Sequence, residues 1–165
     1  MPTSTYEKVL TYTAPSAQTS YTFSTIPSTY TDLVLVMSYS LSVGGSSTFM
    51  RFNGDTASNY SDTYIANNTS GRDTSSSNGI RFAGVSSGTG AGAMRSTIAS
   101  IQNYSNATTY KTVLSRDAQA ADEVAEVVGL WRGTPAAITS IYLWSGGGAS
   151  FNTGSTFTLY GIKAA

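Results

Sequence analysis

The sequence predicts an all-β protein, a sandwich or barrel of about ten strands, and three observations carry that expectation. Thr, Tyr, Val, Ile and Phe, which suit a pleated and half-buried surface, are spread through the chain, and no stretch is dominated by Ala, Leu, Glu and Lys. Apolar and polar residues alternate within short runs. Gly, Pro, Ser and Asn close those runs at the short spacing of strands joined by tight turns.

In chain order, residues 6–13 (YEKVLTYT) and 19–26 (TSYTFSTI) form the first two predicted strands, separated by an Ala-Pro-Ser turn. Residues 32–41 alternate most clearly: Leu33, Leu35, Met37, Tyr39 and Leu41 share one face, with Ser38 and Ser40 on the other. Residues 48–53 and 80–85 are short strands bounded by turn formers, and 94–104, 109–116 and 124–132 follow in the same way. Residues 138–144 and 155–163 complete the set. The strand 32–41 also carries Val34 and Val36 on its second face, and 138–144 sets Tyr142 and Trp144 opposite Ile141 and Leu143. Two apolar faces need two covers, so a third layer, a subunit contact or a covering loop is expected there.

At 165 residues the chain fits one domain, read as a short N-terminal arm over residues 1–5 and a single sandwich over 6–165. Nine Lys+Arg balance nine Asp+Glu, and charged residues make up 11% of the chain against a usual value of about 25%. Steering onto nucleic acid or an anionic membrane is therefore not expected. The 26 Ser and 24 Thr imply a neutral, hydroxyl-rich surface. With no His and no Cys, the chain lacks an imidazole base, a thiolate nucleophile, a Cys/His metal shell and a disulfide framework. The N-terminus has neither the basic nor the apolar region of a signal peptide, and the aliphatic run 33–37 is far below the roughly 18 residues of a membrane span.

Three segments read as loops: 67–78 (NNTSGRDTSSSN), 84–92 (GVSSGTGAG) and 145–154 (SGGGASFNTG). The second lacks the Gly-Lys-Ser/Thr ending of a phosphate loop. Residues 117–126 are the one helix-compatible stretch, at most a short turn, and hold four of the nine acids. A two-carboxylate glycosidase needs no His, and Asp122, Glu123 and Glu126 are the nearest acid cluster. On a strand Asp122 and Glu126 would lie about 13 Å apart, beyond either glycosidase spacing, so a solvated acidic turn is expected. Asn53, Asp55 and Asp62 offer oxygen ligands, but Asn53-Gly54-Asp55 reads more simply as a tight turn. Sequons start at Asn59, Asn67, Asn68, Asn103 and Asn106; so Ser/Thr-rich a chain yields about two or three by chance, and glycosylation is not implied. Trp131, Trp144, Tyr60 and Tyr64 are of the type that stacks on sugar rings, but alternation favours core roles, above all for the tryptophans. The expectation is a protein that is not an enzyme, with no catalytic residue, no cofactor and no metal site.

Two stretches, RFNGDTASNYSDTYI at 51–65 and STFTLYGIKAA at 155–165, resemble structural proteins of tailed-bacteriophage virions. The opening TYEKVLTYTAPSAQTSYTFSTIP resembles their first hairpin, so the likeness spans most of the chain. The resemblance implies a jelly-roll-like antiparallel β-sandwich on a capsid decoration or tail fibre, and it brings no catalytic residue with it. The first strand begins by about Tyr6, which leaves no room for a fibre stem and favours a decoration (cement) protein on the assembled head. The expected partners are the major capsid protein and further copies of the chain, in a homotrimer, with no nucleic acid and no membrane. The expected location is the capsid surface, after synthesis in the host cytoplasm. The alternative is a tail-fibre or receptor-binding module that grips a host glycan through loops 67–78 and 145–154.

Overall fold

A computed structural model describes residues 5–67, 69–76, 78–85, 90–120 and 123–163, so the predicted arm falls almost wholly outside them. The described residues form an all-β, jelly-roll-like sandwich with no helix. Its strands are β1 (Tyr6–Thr13), β2 (Ser20–Phe23), β3 (Asp32–Tyr39), β4 (Thr48–Phe52), β5 (Tyr60–Ala66) and β6 (Thr69–Ser76). They continue as β7 (Ile80–Ala83), β8 (Arg95–Ile101), β9 (Lys111–Gln119), β10 (Glu123–Trp131), β11 (Ile141–Ser145) and β12 (Thr156–Ile162). One sheet has eight strands in the order β1-β12-β3-β8-β9-β10-β5-β6, and the other has four, β2-β11-β4-β7. The paired strands are antiparallel throughout.

Each of the ten predicted strands is present, with ends shifted by up to three residues. Two more were not predicted. The segment 67–78, expected to be a loop, contains β6, which pairs with β5 at the edge of the large sheet. An edge strand needs only its ladder on one side, so its polar side chains carry no apolar period to announce it. At Gly71 a Cβ would meet the Tyr64 hydroxyl at 2.6 Å, so glycine there lets the ring of β5 lie across β6. The helix-compatible stretch 117–126 is instead the end of β9 and the start of β10, two paired strands that turn back on each other.

The alternation of β3 places Leu33, Leu35, Met37 and Tyr39 in the interior, where Phe151 and Phe157 pack edge-on with ring centroids 4.9 Å apart. Tyr12 of β1 stacks on Tyr21 of β2 at 3.9 Å and joins the two sheets at one margin. Burying side chains of this kind contributes about 1.5–3 kcal/mol each. Between β4 and β5, Asn53 and Gly54 both have positive φ, and the Asp55 N–H donates to the Phe52 carbonyl at 2.9 Å, as a tight turn requires. The Asn53 side chain then accepts from the Thr139 and Ser140 N–H groups and donates to the Ala137 carbonyl.

The other part of the interior is polar. Arg95 of β8 donates through one Nη to Asp117 of β9 and to Glu123 Oε1 of β10 at 2.8 Å, and through the other to Gln119 Oε1 at 3.0 Å. Thr97 Oγ1 donates to Asp117 at 2.6 Å. The Gly84 and Val85 N–H groups, just past β7, donate to Asp117 and Glu123 at 3.1 Å each. Both charged partners are sealed from water, and the network ties three strands of the large sheet to the chain leaving the small one. Gly84 has φ +67°, and a Cβ there would lie 2.5 Å from the Ser46 carbonyl oxygen, so only glycine brings its N–H to Asp117. Burial pushes the Asp117 carboxyl up to about 6 against the pull of Arg95, with Glu123 on the same guanidinium adding to the rise. A second cross-sheet tie joins Asp62 of β5 to the backbone N–H and guanidinium of Arg81 of β7, at 3.2 and 3.4 Å.

Arg95→Ala leaves two buried carboxylates without their cation and is expected to cost about 3–5 kcal/mol in urea denaturation at pH 7. The folded Asp117 carboxyl titrates near 6 and an unfolded one near 3.9, so the folded chain holds the extra proton between those values. Its stabilising share is full below about pH 4 and is lost as the pH rises through about 6. The urea midpoint of the parent protein relative to Asp117→Asn should therefore fall across that interval.

Candidate functional site

The acids singled out in the sequence do not form a reactive pair. Glu123 and Glu126 lie on opposite faces of β10: Glu123 is buried against Arg95, and Glu126 is exposed and accepts from Arg116 Nε at 3.1 Å. Asp122 lies outside the described residues. Asp55 accepts hydrogen bonds from Trp131 Nε1 at 2.7 Å, Asn59 Nδ2 at 2.9 Å and the Ala57 N–H at 2.9 Å, which hold its carboxyl below the usual range against the opposing effect of burial. Asp62 is turned to Arg81, so Asn53, Asp55 and Asp62 serve a turn and a cross-sheet tie. Among the described residues no group of three or more His, Cys, Asp or Glu is placed to hold a metal ion.

Tyr60 and Trp131 are core residues. Tyr64 is half-buried, with the Arg81 guanidinium 4.6 Å from its ring centre. Trp144, expected in the core, is half-buried on the outer side of the small sheet, because the inward phase of β11 is taken by Ile141, Leu143 and Ser145. Among the sequons, the side chains of Asn59, Asn67 and Asn106 brace local backbone or neighbouring groups, Asn103 is exposed, and Asn68 lies outside the described residues.

The feature without an internal explanation is the outer face of the large sheet. Register sets one cross-strand row as Thr158, Val36, Ile98, Arg116, Glu126 and Ile65. A second row runs Tyr160, Val34, Ser100, Leu114, Val128 and Thr63. Ile98 is 45% exposed, Val128 52% and Ile65 67%, and Val36, Leu114 and Val124 are also open to solvent. Val36, Ile98, Arg116, Val124, Glu126 and Ile65 border a groove of about 730 Å³ that crosses β3, β8, β9, β10 and β5, and Leu114 and Val128 lie beyond its rim. The strand 32–41, expected to need two covers, is covered on its second face at Val34, which is buried, and open at Val36, and no third sheet lies over it among the described residues.

Scattered exposed apolar residues are ordinary; here Val36 adjoins Ile98 and Leu114 adjoins Val128 on neighbouring strands, with Ser100, Arg116 and Glu126 between them. The ion pair on this face, Arg116–Glu126, is exposed and adds little to stability. What the face offers is shape and desolvation, flanked by Thr and Ser hydroxyls. The interior cluster was missed in the sequence, although Arg95, Asp117 and Glu123 each occupy the inward phase of an alternating strand, where a charge is unexpected. That phase was the available signal.

No protein-family model matches the chain, and no curated protein matches it. Among solved structures it is similar to a variant of alginate lyase Aly36B in complex with alginate tetrasaccharide, with a TM-score of 0.32 and 10% identity over 94% of this chain and 81% of that one. It is also similar to alginate lyase Aly36B, with a TM-score of 0.32 and 10% identity over 91% of this chain and 78% of that one. Likeness at that level carries no argument about what this chain does.

If the outer face is free in the isolated protein, Val36→Thr with Ile98→Thr should change urea stability by less than about 1 kcal/mol. Leu35→Ala, on the inner side of the same strand, should cost about 2–5 kcal/mol.

Proposed function

We propose that this protein is a structural component of a tailed-bacteriophage virion, a decoration (cement) protein that binds the assembled head and stabilises it. The observation that carries the reading is the unpartnered aliphatic face of the large sheet, set on a sandwich whose charged interior is closed off from substrate. The resemblance of residues 51–65 and 155–165 to virion proteins supports the same assignment.

In this reading the partner is the major capsid protein. The face lies across adjoining capsid subunits and removes apolar surface from water at about 25 cal/mol per Å². A ligand that binds the assembled shell and not its separated subunits shifts the balance toward the shell, and repetition over many sites resists rupture by packaged DNA. No bond is made or broken. The neutral, hydroxyl-rich composition suits a protein that must crowd on a surface without binding the genome. Self-association as a homotrimer belongs to the proposal, as does a location on the capsid surface after synthesis in the host cytoplasm.

Cosedimentation with expanded shells that lack the protein tests the reading. The parent protein should bind with a copy number proportional to that of the capsid subunit, and Ile98→Asp should abolish binding while leaving the thermal midpoint unchanged. Binding confined to one vertex, or equal binding by Ile98→Asp, would contradict it. Light scattering at micromolar concentration should give a trimer, and a monomer would remove that part of the proposal.

A further inference from the structure

On the other side of the sandwich, the outer face of the small sheet is aromatic. Trp144 of β11 stacks on Phe49 of β4 with centroids 4.8 Å apart and planes 20° from parallel. Arg51 lies over the Trp144 ring at 5.4 Å and over the Tyr142 ring at 5.9 Å. The Asn78 carbonyl accepts from both Trp144 Nε1 and Arg51 Nε, at 3.1 Å each. Trp144 is thus fixed by three neighbours while remaining at the surface.

Beside this pair is a cleft of about 460 Å³, and it is built where the two loop segments singled out in the sequence meet. Asn78, at the end of one, and Gly146 and Gly147, in the other, border it together with the 43–47 turn. Four of its residues are glycines, two on each flanking turn, so much of the wall is backbone, of which the Gly146 N–H already donates to the Ser47 carbonyl and the Gly146 carbonyl accepts from the Ala149 N–H. A Cβ on Gly146 would lie 3.1 Å from Phe49 Cε2, and Gly147 has φ +64°, so glycine is needed for the approach at one position and for the backbone at the other. The Ser47 hydroxyl donates to the Gly84 carbonyl at 2.7 Å and so offers a ligand only its lone pairs, Ser46 is buried, and exposed Asn78 adds a carboxamide. None of the lining residues is ionisable.

An apolar aromatic wall beside closely spaced neutral donors and acceptors matches a ligand with C–H patches on one side and hydroxyls on the other. We infer that the Phe49–Trp144 cleft is a binding site for a neutral saccharide, a hexose unit of an uncharged polysaccharide, and not for a uronate or sulfated sugar. The lining has no cation to meet an anionic group: Arg51 is not among the lining residues, and its Nε donates to the Asn78 carbonyl. The cleft lies on the face opposite the aliphatic one, so a protein docked on a capsid would present it outward. Only that outward presentation rests on the capsid reading; saccharide binding by the free protein does not.

The chain has two tryptophans, which makes the test internally controlled. Neutral oligosaccharides of glucose, galactose and mannose, and matched uronate oligosaccharides, are titrated into the full-length protein while the two indole N–H resonances are followed by NMR. At least one neutral oligosaccharide should shift the Trp144 signal saturably, while buried Trp131, bonded to Asp55, stays in place. Asn78→Ala, which keeps the carbonyl that braces Trp144, should weaken that binding about tenfold with the Trp131 signal unchanged. Gly147→Val, if folded by the same criterion, should abolish it. No Trp144 shift with any neutral oligosaccharide, equal shifts of both indoles, or tighter binding of the uronates would overturn the inference. Because no capsid is present, a negative result here leaves the docking reading standing, and failure to bind shells leaves this one standing.

Discussion

Arg95 faces two carboxylates inside the sandwich, and the joining of the two sheets depends on that arrangement. Its guanidinium gathers Asp117 and Glu123 from neighbouring strands, and the lone pairs left over are taken by Thr97 and by two backbone N–H groups from the end of β7. A buried ion cluster of this kind gains little over well-packed apolar side chains, but it is unforgiving of a wrong partner. It therefore fixes which part of the small sheet lies against which part of the large one. Phe, Leu and Tyr fill the main interior cluster, and a small second cluster holds Ala66, Val85, Ala125 and Val127.

The large sheet of eight strands extends beyond the small sheet of four and has the wider outer face. Asp117 and Glu123 are used in the closure, and a third carboxylate, exposed Glu126, stands on the opposite face of β10. The two outer faces differ in kind: the large sheet shows Val, Ile and Leu, and the small sheet shows Phe, Trp, Tyr and Arg. A sandwich with two differently dressed faces can be held by one and recognise with the other, and neither role calls for a reactive group.

Much of this was legible in the sequence. The alternation of β3 named its inward residues correctly, because a strand against the core must separate its two faces strictly. The Asn53-Gly54 turn was legible for a local reason, since few residue pairs accept positive φ twice in succession. β6 was hidden because an edge strand is held by backbone hydrogen bonds and leaves no side-chain period. β5 was hidden because buried Asp62 breaks its apolar alternation. The position of Trp144 was misjudged because a half-buried ring braced by Phe49 and Arg51 has the same sequence pattern as a core ring. The aliphatic outer face was half visible: Val34 and Val36 pointed to it, but Ile98, Leu114 and Val128 join them only through the pairing of β3, β8, β9 and β10.

The central claim is that the outer face of the large sheet is the working interface, and hydroxyl-radical footprinting of the protein free and bound to shells tests it most directly. The account predicts that oxidation of Val36, Ile98, Leu114 and Val128 falls on binding while that of Trp144 and Tyr142 is unchanged. Protection of Trp144 and Tyr142 with continued oxidation of Ile98 and Val128 would contradict it and place the contact on the small sheet.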